Sequence, residues 1–143
     1  MSTIHGTIWW SELRTGNVEA SRAYYEATCG WHFETWDMPD GPYHVAMAHG
    51  RPVAGMMELS EPGADGTARP HWFTYVAVDD LDAALRTMEA KGGKILRAPF
   101  EVPETGTIAL VQDAGGAEVG LMTPVQNWES APSEVGLLDN VPV

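Results

Sequence analysis

Among the polar side chains that fall in strand-like stretches of this 143-residue sequence and could do chemistry are Glu12 in TIWWSELR, Glu58 in MMELS, His71 in HWFTYVAVD and Glu118 in AEVGLM. Glu12 and Glu58 can serve as general bases if a substrate proton is held within hydrogen-bond reach. His71 and Glu118 can orient a ligand. Side chains alternate between the faces of a strand, so Glu12, His71 and Glu118 point the same way as Trp10, Phe73 and Gly120, each two residues displaced. Trp10, Phe73 and Tyr75 share that parity and can line an aromatic pocket. Gly120 sits mid-strand after the turn Asp113-Ala114-Gly115-Gly116, where it packs nothing itself and marks either a bulge or a close approach by another group.

Other chemistries find less support. His5, His32, His44 and His49 fall at strand ends or turns without zinc spacing and read as solvated or structural. Cys29 has no basic neighbour to activate it and reads as a small hydrophobe on the buried face of a helix. No GxSxG elbow, phosphate-binding glycine loop or HExxH helix is present.

Composition narrows the class. A chain with 44% hydrophobic residues can bury one core and is short for two independent domains. Twenty acidic residues against eight basic ones give a net charge of −12, which repels nucleic acid and anionic lipid alike. One cysteine, no leader and no long apolar run point to a cytoplasmic protein without disulfides.

The elements that must position these residues alternate. A strand at 7–14 precedes a helix at 18–29 whose face is Val18, Ser21, Tyr25 and Cys29 and which Gly30 ends. Strands follow at about 32–37, 43–49 and 53–60, then a loop at 61–70. The second half repeats the order: a strand at 71–79, a helix at 80–93 capped by Asp80 with Leu81, Ala84, Leu85 and Met88 as its stripe, and strands near 94–101, 107–113 and 117–123. An offset of 63 aligns the halves, pairing Asn17-Val18-Glu19-Ala20 with Asp80-Leu81-Asp82-Ala83, Gly30 with Gly93 and Trp10 with Phe73. The expectation is an α+β fold of two paired βαβββ modules, 5–60 and 71–125, forming an eight-stranded curved sheet around a cleft, with 61–70 as joint and 126–143 as an acidic tail.

These motifs, together with Tyr24-Tyr25, Gly30-Trp31 and Asp113-Ala114-Gly115-Gly116, resemble the vicinal oxygen chelate superfamily of glyoxalases, bleomycin resistance proteins and extradiol dioxygenases. That resemblance implies a cleft in which metal-dependent members hold a divalent ion with side chains on the first, fourth, fifth and eighth strands. Carried over, those positions are Trp10, Glu58, Phe73 and Gly120, and one carboxylate alone cannot retain a metal against water. The expectation is therefore a protein with no cofactor that binds a small organic molecule, stacked on Trp10, Phe73 and Tyr75 beside Gly120 and oriented by Glu12, Glu58, His71 or Glu118. The alternative is a lyase, isomerase or dioxygenase with one divalent metal ion on a shifted site of Glu12, Glu58, His71 and Glu118. The resemblance also implies a homodimer, with Val135, Leu137, Leu138 and Val141 of the tail packed on the partner.

Overall fold

A computed structural model describes residues 3–38, 41–59 and 69–125. The joint at 61–70, apart from its last two residues, and the tail with Val135, Leu137, Leu138 and Val141 lie outside the described residues.

The order is β1 (Ile8–Thr15), α1 (Val18–Cys29), β2 (His32–Met38), β3 (Gly41–Ala48), β4 (Arg51–Glu58), β5 (His71–Ala77), α2 (Leu81–Ala90), β6 (Lys94–Val102), β7 (Gly106–Gln112) and β8 (Glu118–Pro124). This is βαβββ twice over. The strands form one mixed eight-stranded sheet in the order β2-β3-β4-β1-β5-β8-β7-β6. In each module the first strand pairs parallel with the fourth, β1 with β4 and β5 with β8. The other described pairings, β2 with β3, β3 with β4, β6 with β7 and β7 with β8, are antiparallel. Compact packing divides the chain just inside β1: residues up to Trp10 group with the chain from Phe73, and Ser11–Trp72 forms the other unit.

Within the Ser11–Trp72 unit, α1 starts at Asn17, whose side chain accepts from the Ala20 amide at 3.0 Å, and stops at Gly30 in the left-handed conformation. It packs Val18 and Tyr25 on Leu13, Phe33, Ala46, Ala54 and Met56. Cys29 is exposed, which corrects the expectation of a buried thiol. It is the last helical residue, and Trp31 rather than Cys29 covers that end, stacking on Tyr25 at 5.1 Å.

In the other unit Asp80 caps α2 by accepting from the Ala83 amide at 3.1 Å. The helix buries Leu81 and Leu85 against Val78, Ala109 and Val111, and each such side chain contributes about 1.5–3 kcal/mol of hydrophobic transfer. The opposite face of this part of the sheet carries Phe73, Tyr75, Ile108 and Met122. The N-terminal residues belong here as well. Ile4 packs with Ala77, and the Gly6 amide donates to the Ala77 carbonyl at 2.7 Å.

Candidate functional site

The register of β1 on β4 decides which side chains share a face of the Ser11–Trp72 unit. Glu12 lies beside Gly55, Leu13 beside Met56, Arg14 beside Met57 and Thr15 beside Glu58. Leu13 and Met56 pack with Val18 and Tyr25 of α1, so Glu12, Arg14, Gly55 and Met57 occupy the face turned away from that helix. Val45 pairs with Gly55, Glu34 with Val45, and Trp36 with Tyr43, which extends this face across β3 and β2.

Two rows result. Glu12 is 4% exposed, and Val45 and Gly55 beside it are buried. Trp36 is 48% exposed, with Tyr43, Met57 and Arg14 half-buried, so the second row is the accessible one. The Arg14 Nε donates to the Glu12 Oε2 at 2.9 Å. A carboxylate this buried needs such a partner, because an unpaired charge in a low-dielectric site costs several kcal/mol. The Tyr43 hydroxyl occupies the space that a Cβ on Gly55 would take. Since paired strands run about 4.8 Å apart, that hydroxyl stands next to the strand position of Glu12.

Glu58 is not on this face. It pairs with Thr15 on the α1 side of the sheet and is exposed, which corrects the placement of Glu12 and Glu58 in one site. Strand alternation running unbroken from Met56, fixed beneath α1, leaves Glu58 no other choice. The fourth-strand residue directly beside Glu12 is Gly55. His71 is exposed at the start of β5, with Nδ1 2.6 Å from the Arg69 carbonyl oxygen. His44 is mid-strand and half-buried rather than terminal, and bonds Thr35 Oγ1 at 2.9 Å. Burial and then the Arg22 guanidinium hold its pKa below the ordinary histidine value, with Glu19 opposing. His5 Nδ1 accepts the Asp79 amide at 2.9 Å.

In the other unit Trp10, Phe73 and Tyr75 come together in one apolar cluster with Ile108 and Met122. The Phe73 and Tyr75 rings meet edge to face with centroids 5.2 Å apart. Gly120 is the register partner of Tyr75 at the start of the β5–β8 ladder, and the β7–β8 ladder runs through it without a bulge. The close approach is by the Tyr75 ring, which fills the place of a Gly120 Cβ, with Phe73 Cε2 3.2 Å from the same point. Glu118 is exposed opposite Gln112. A groove between Glu101, Thr107, Thr123 and Val125 includes none of the candidate residues.

These side chains do not fit a divalent ion. Trp10, Phe73, Gly55 and Gly120 offer no ligand atom, the Glu12 carboxylate is engaged by Arg14, and among the described residues no three His, Cys, Asp or Glu side chains are grouped for a metal. The shifted set of Glu12, Glu58, His71 and Glu118 is divided within the Ser11–Trp72 unit itself, where Glu58 lies on the α1 side of the sheet and Glu12 on the other. What the face can do is stack a flat molecule on Trp36, contact it with Met57 and offer it a phenol, a guanidinium and a buried carboxylate. Arg14, Trp36, Tyr43, Gly55 and Met57 were not among the residues singled out from sequence. The signal for Gly55 was present: it stands to Glu12 as Gly120 stands to Tyr75, but the 63-residue interval has grown by two residues at the fourth strand and conceals the match.

A family model described as the Glyoxalase/Bleomycin resistance protein/Dioxygenase superfamily matches residues 7–121. "Putative glyoxylase CFP32" of Mycobacterium tuberculosis is 33% identical over 118 residues, covering 81% of this chain and 45% of that protein. "Anthracycline biosynthesis protein DnrV" of Streptomyces peucetius is 34% identical over 131 residues, covering 90% of this chain and 45% of that protein. The chain thus spans less than half the length of these relatives. Among solved structures, methylmalonyl-CoA epimerase from Mycobacterium tuberculosis superposes with a TM-score of 0.65 over 92% of this chain and 97% of the epimerase, at 16% identity, a likeness of fold alone. No described helix is long and apolar enough to cross a membrane.

Proposed function

The chain belongs to the glyoxalase/bleomycin resistance protein/dioxygenase superfamily, and from that premise we propose that it binds a small planar organic molecule, without a metal, on the face carrying Trp36, Tyr43, Met57, Arg14 and Glu12. The observation that carries this reading is the layering of that face: an accessible row of aromatic and thioether side chains over a buried Glu12 paired with Arg14. Ligand sites combine apolar walls with a few fixed polar groups in this way. Similarity to an anthracycline biosynthesis protein fits a flat, multi-ring ligand. Trp36→Ala should weaken binding of a tricyclic aromatic probe such as fluorene at least fivefold, since stacked aromatic pairs contribute about 0.5–1.5 kcal/mol beyond area burial. Unchanged affinity in that variant would move the site elsewhere. The metal-free part is tested separately: elemental analysis after chelator-free purification should find far less than one equivalent of zinc, iron, nickel or manganese per chain.

The burial of Glu12 favours one enzymatic reading on the same face. A carboxylate shielded from water can take a proton from a carbon next to a ligand carbonyl, which is isomerase chemistry. Glu12→Gln would abolish such turnover and leave probe binding within about twofold, because the amide retains the volume and one acceptor oxygen.

A further inference from the structure

We propose that the ligand of this face carries a positive charge: a planar aromatic molecule with a protonated amine on a short arm, held by the Glu34 carboxylate beside Trp36. The inference rests on the binding face described above and adds to it the ligand's charge.

Three observations converge on it. Glu34 and Trp36 are two residues apart on β2 and so project from one face of the strand, about 6.5–7 Å apart along it. Phe33, on the opposite parity, packs beneath α1, which puts Glu34 and Trp36 on the face turned away from that helix, and both are exposed. Next, the two carboxylates of this face differ in state. Glu12 is paired with Arg14, whereas the Glu34 side chain makes no ion pair or hydrogen bond with any described residue. An uncompensated anion next to an exposed ring is the complement of a cation attached to an aromatic body. Finally, the other module shows the same two positions filled from within. The β2–β3 pairing closes with Met38 beside Gly41, and the β6–β7 pairing with Val102 beside Gly106. Two residues along from those glycines, Tyr43 and Ile108 stand opposite Trp36 and Phe100; four along, Val45 and Leu110 stand opposite Glu34 and Arg97. Arg97 lays its guanidinium over the Phe100 ring, 3.6 Å from the centroid. At the matching positions β2 keeps the ring and exchanges the cation for an acid, so the cation that this ring and carboxylate suit is the ligand's own.

The matched probes are 2-(aminomethyl)fluorene and 2-(hydroxymethyl)fluorene, flat tricycles whose arms end in an ammonium or a hydroxyl, titrated calorimetrically at neutral pH and low ionic strength. The native protein should bind the ammonium roughly three- to tenfold more tightly than the alcohol, the size of an exposed ion pair with a cation–π contact. Glu34→Gln, which keeps the volume and removes the charge, should bring the ammonium to within about twofold of the alcohol and leave the alcohol unchanged. The net charge of −12 attracts any cation, so the control is Glu89→Gln, which removes an equal charge from an exposed position on α2 and should leave the preference as it was. A preference that survives Glu34→Gln, equal losses for both probes in that variant, or an equal reduction of the preference by Glu89→Gln would overturn the role of Glu34. Equal affinity of the native protein for both probes, with both weakened by Trp36→Ala, overturns the role of Glu34 while leaving the binding face intact. Failure of a folded native protein to bind either probe overturns both.

Discussion

At the scale of the residue, Gly55 and Gly120 matter for what fills the space they leave. Gly120 has ordinary strand pairing on both sides and needs no special backbone conformation, so its requirement for glycine comes from the Tyr75 ring, with Phe73 close behind it. Gly120→Ala should lower stability by about 1–3 kcal/mol through overpacking of a buried cluster. Gly16→Ala, where an added Cβ would meet nothing within 4 Å, should stay within about 0.5 kcal/mol. Melting curves of the two variants measured side by side check this, and equal effects would refute it. His44 gives a second handle. Its folded pKa lies below the ordinary 6.5 because burial and Arg22 disfavour the cation. The unfolded chain therefore takes up the proton first, and stability attached to neutral His44 is full above the ordinary value and declines as pH falls through it towards the folded value. His44→Gln should lose less stability than the native protein between about pH 7 and pH 5. A pH series of denaturant midpoints reads the difference, and parallel profiles would exclude His44.

At the scale of the element, both helices begin with the same device, Asn17 on the Ala20 amide and Asp80 on the Ala83 amide. Removing either cap should cost about 1 kcal/mol. The Asn17 cap has local support, since its amide donates to Thr15 Oγ1 at 3.1 Å and that oxygen bonds Ser21 Oγ at 3.0 Å. Asn17→Ala should consequently be the milder of the two, and denaturant titration would rank them. These caps, the strand alternation and the repeat were legible in the sequence because each is a local pattern a few residues long. The helix at 18–29 and Gly30 as its stop were read residue for residue. What escaped was register. Whether Glu58 faces with Glu12 or with Thr15 depends on one residue of slip between strands far apart in the chain, and no local pattern around MMELS encodes it. The same gap hid Tyr43, whose importance comes from the glycine on the next strand. Cys29 was misplaced for a simpler reason: helical periodicity continues to the last turn, whereas the surface beneath the helix does not.

At the scale of the whole molecule, the chain spans less than half the length of relatives one-third identical to it. We propose that two copies associate, and light scattering at micromolar concentration should return twice the mass of one chain; the mass of a single chain would rule this out. A different question concerns the strand that changes allegiance. Residues up to Trp10 pack with the chain from Phe73, through Ile4 on Ala77 and the Gly6 and Thr7 backbone bonds to Ala77, even though they are joined in sequence to the unit that follows them. A cut placed within 61–68 would therefore not release two self-sufficient halves. The upstream fragment would carry away the segment that covers Ala77, and the downstream fragment would recover it only by binding its former neighbour. The two pieces, co-expressed, should elute together from a sizing column, and separate elution would contradict this. The sequence repeat and the folded unit are thus out of phase by a few residues of one strand, which makes the halves of this chain obligate complements of one another.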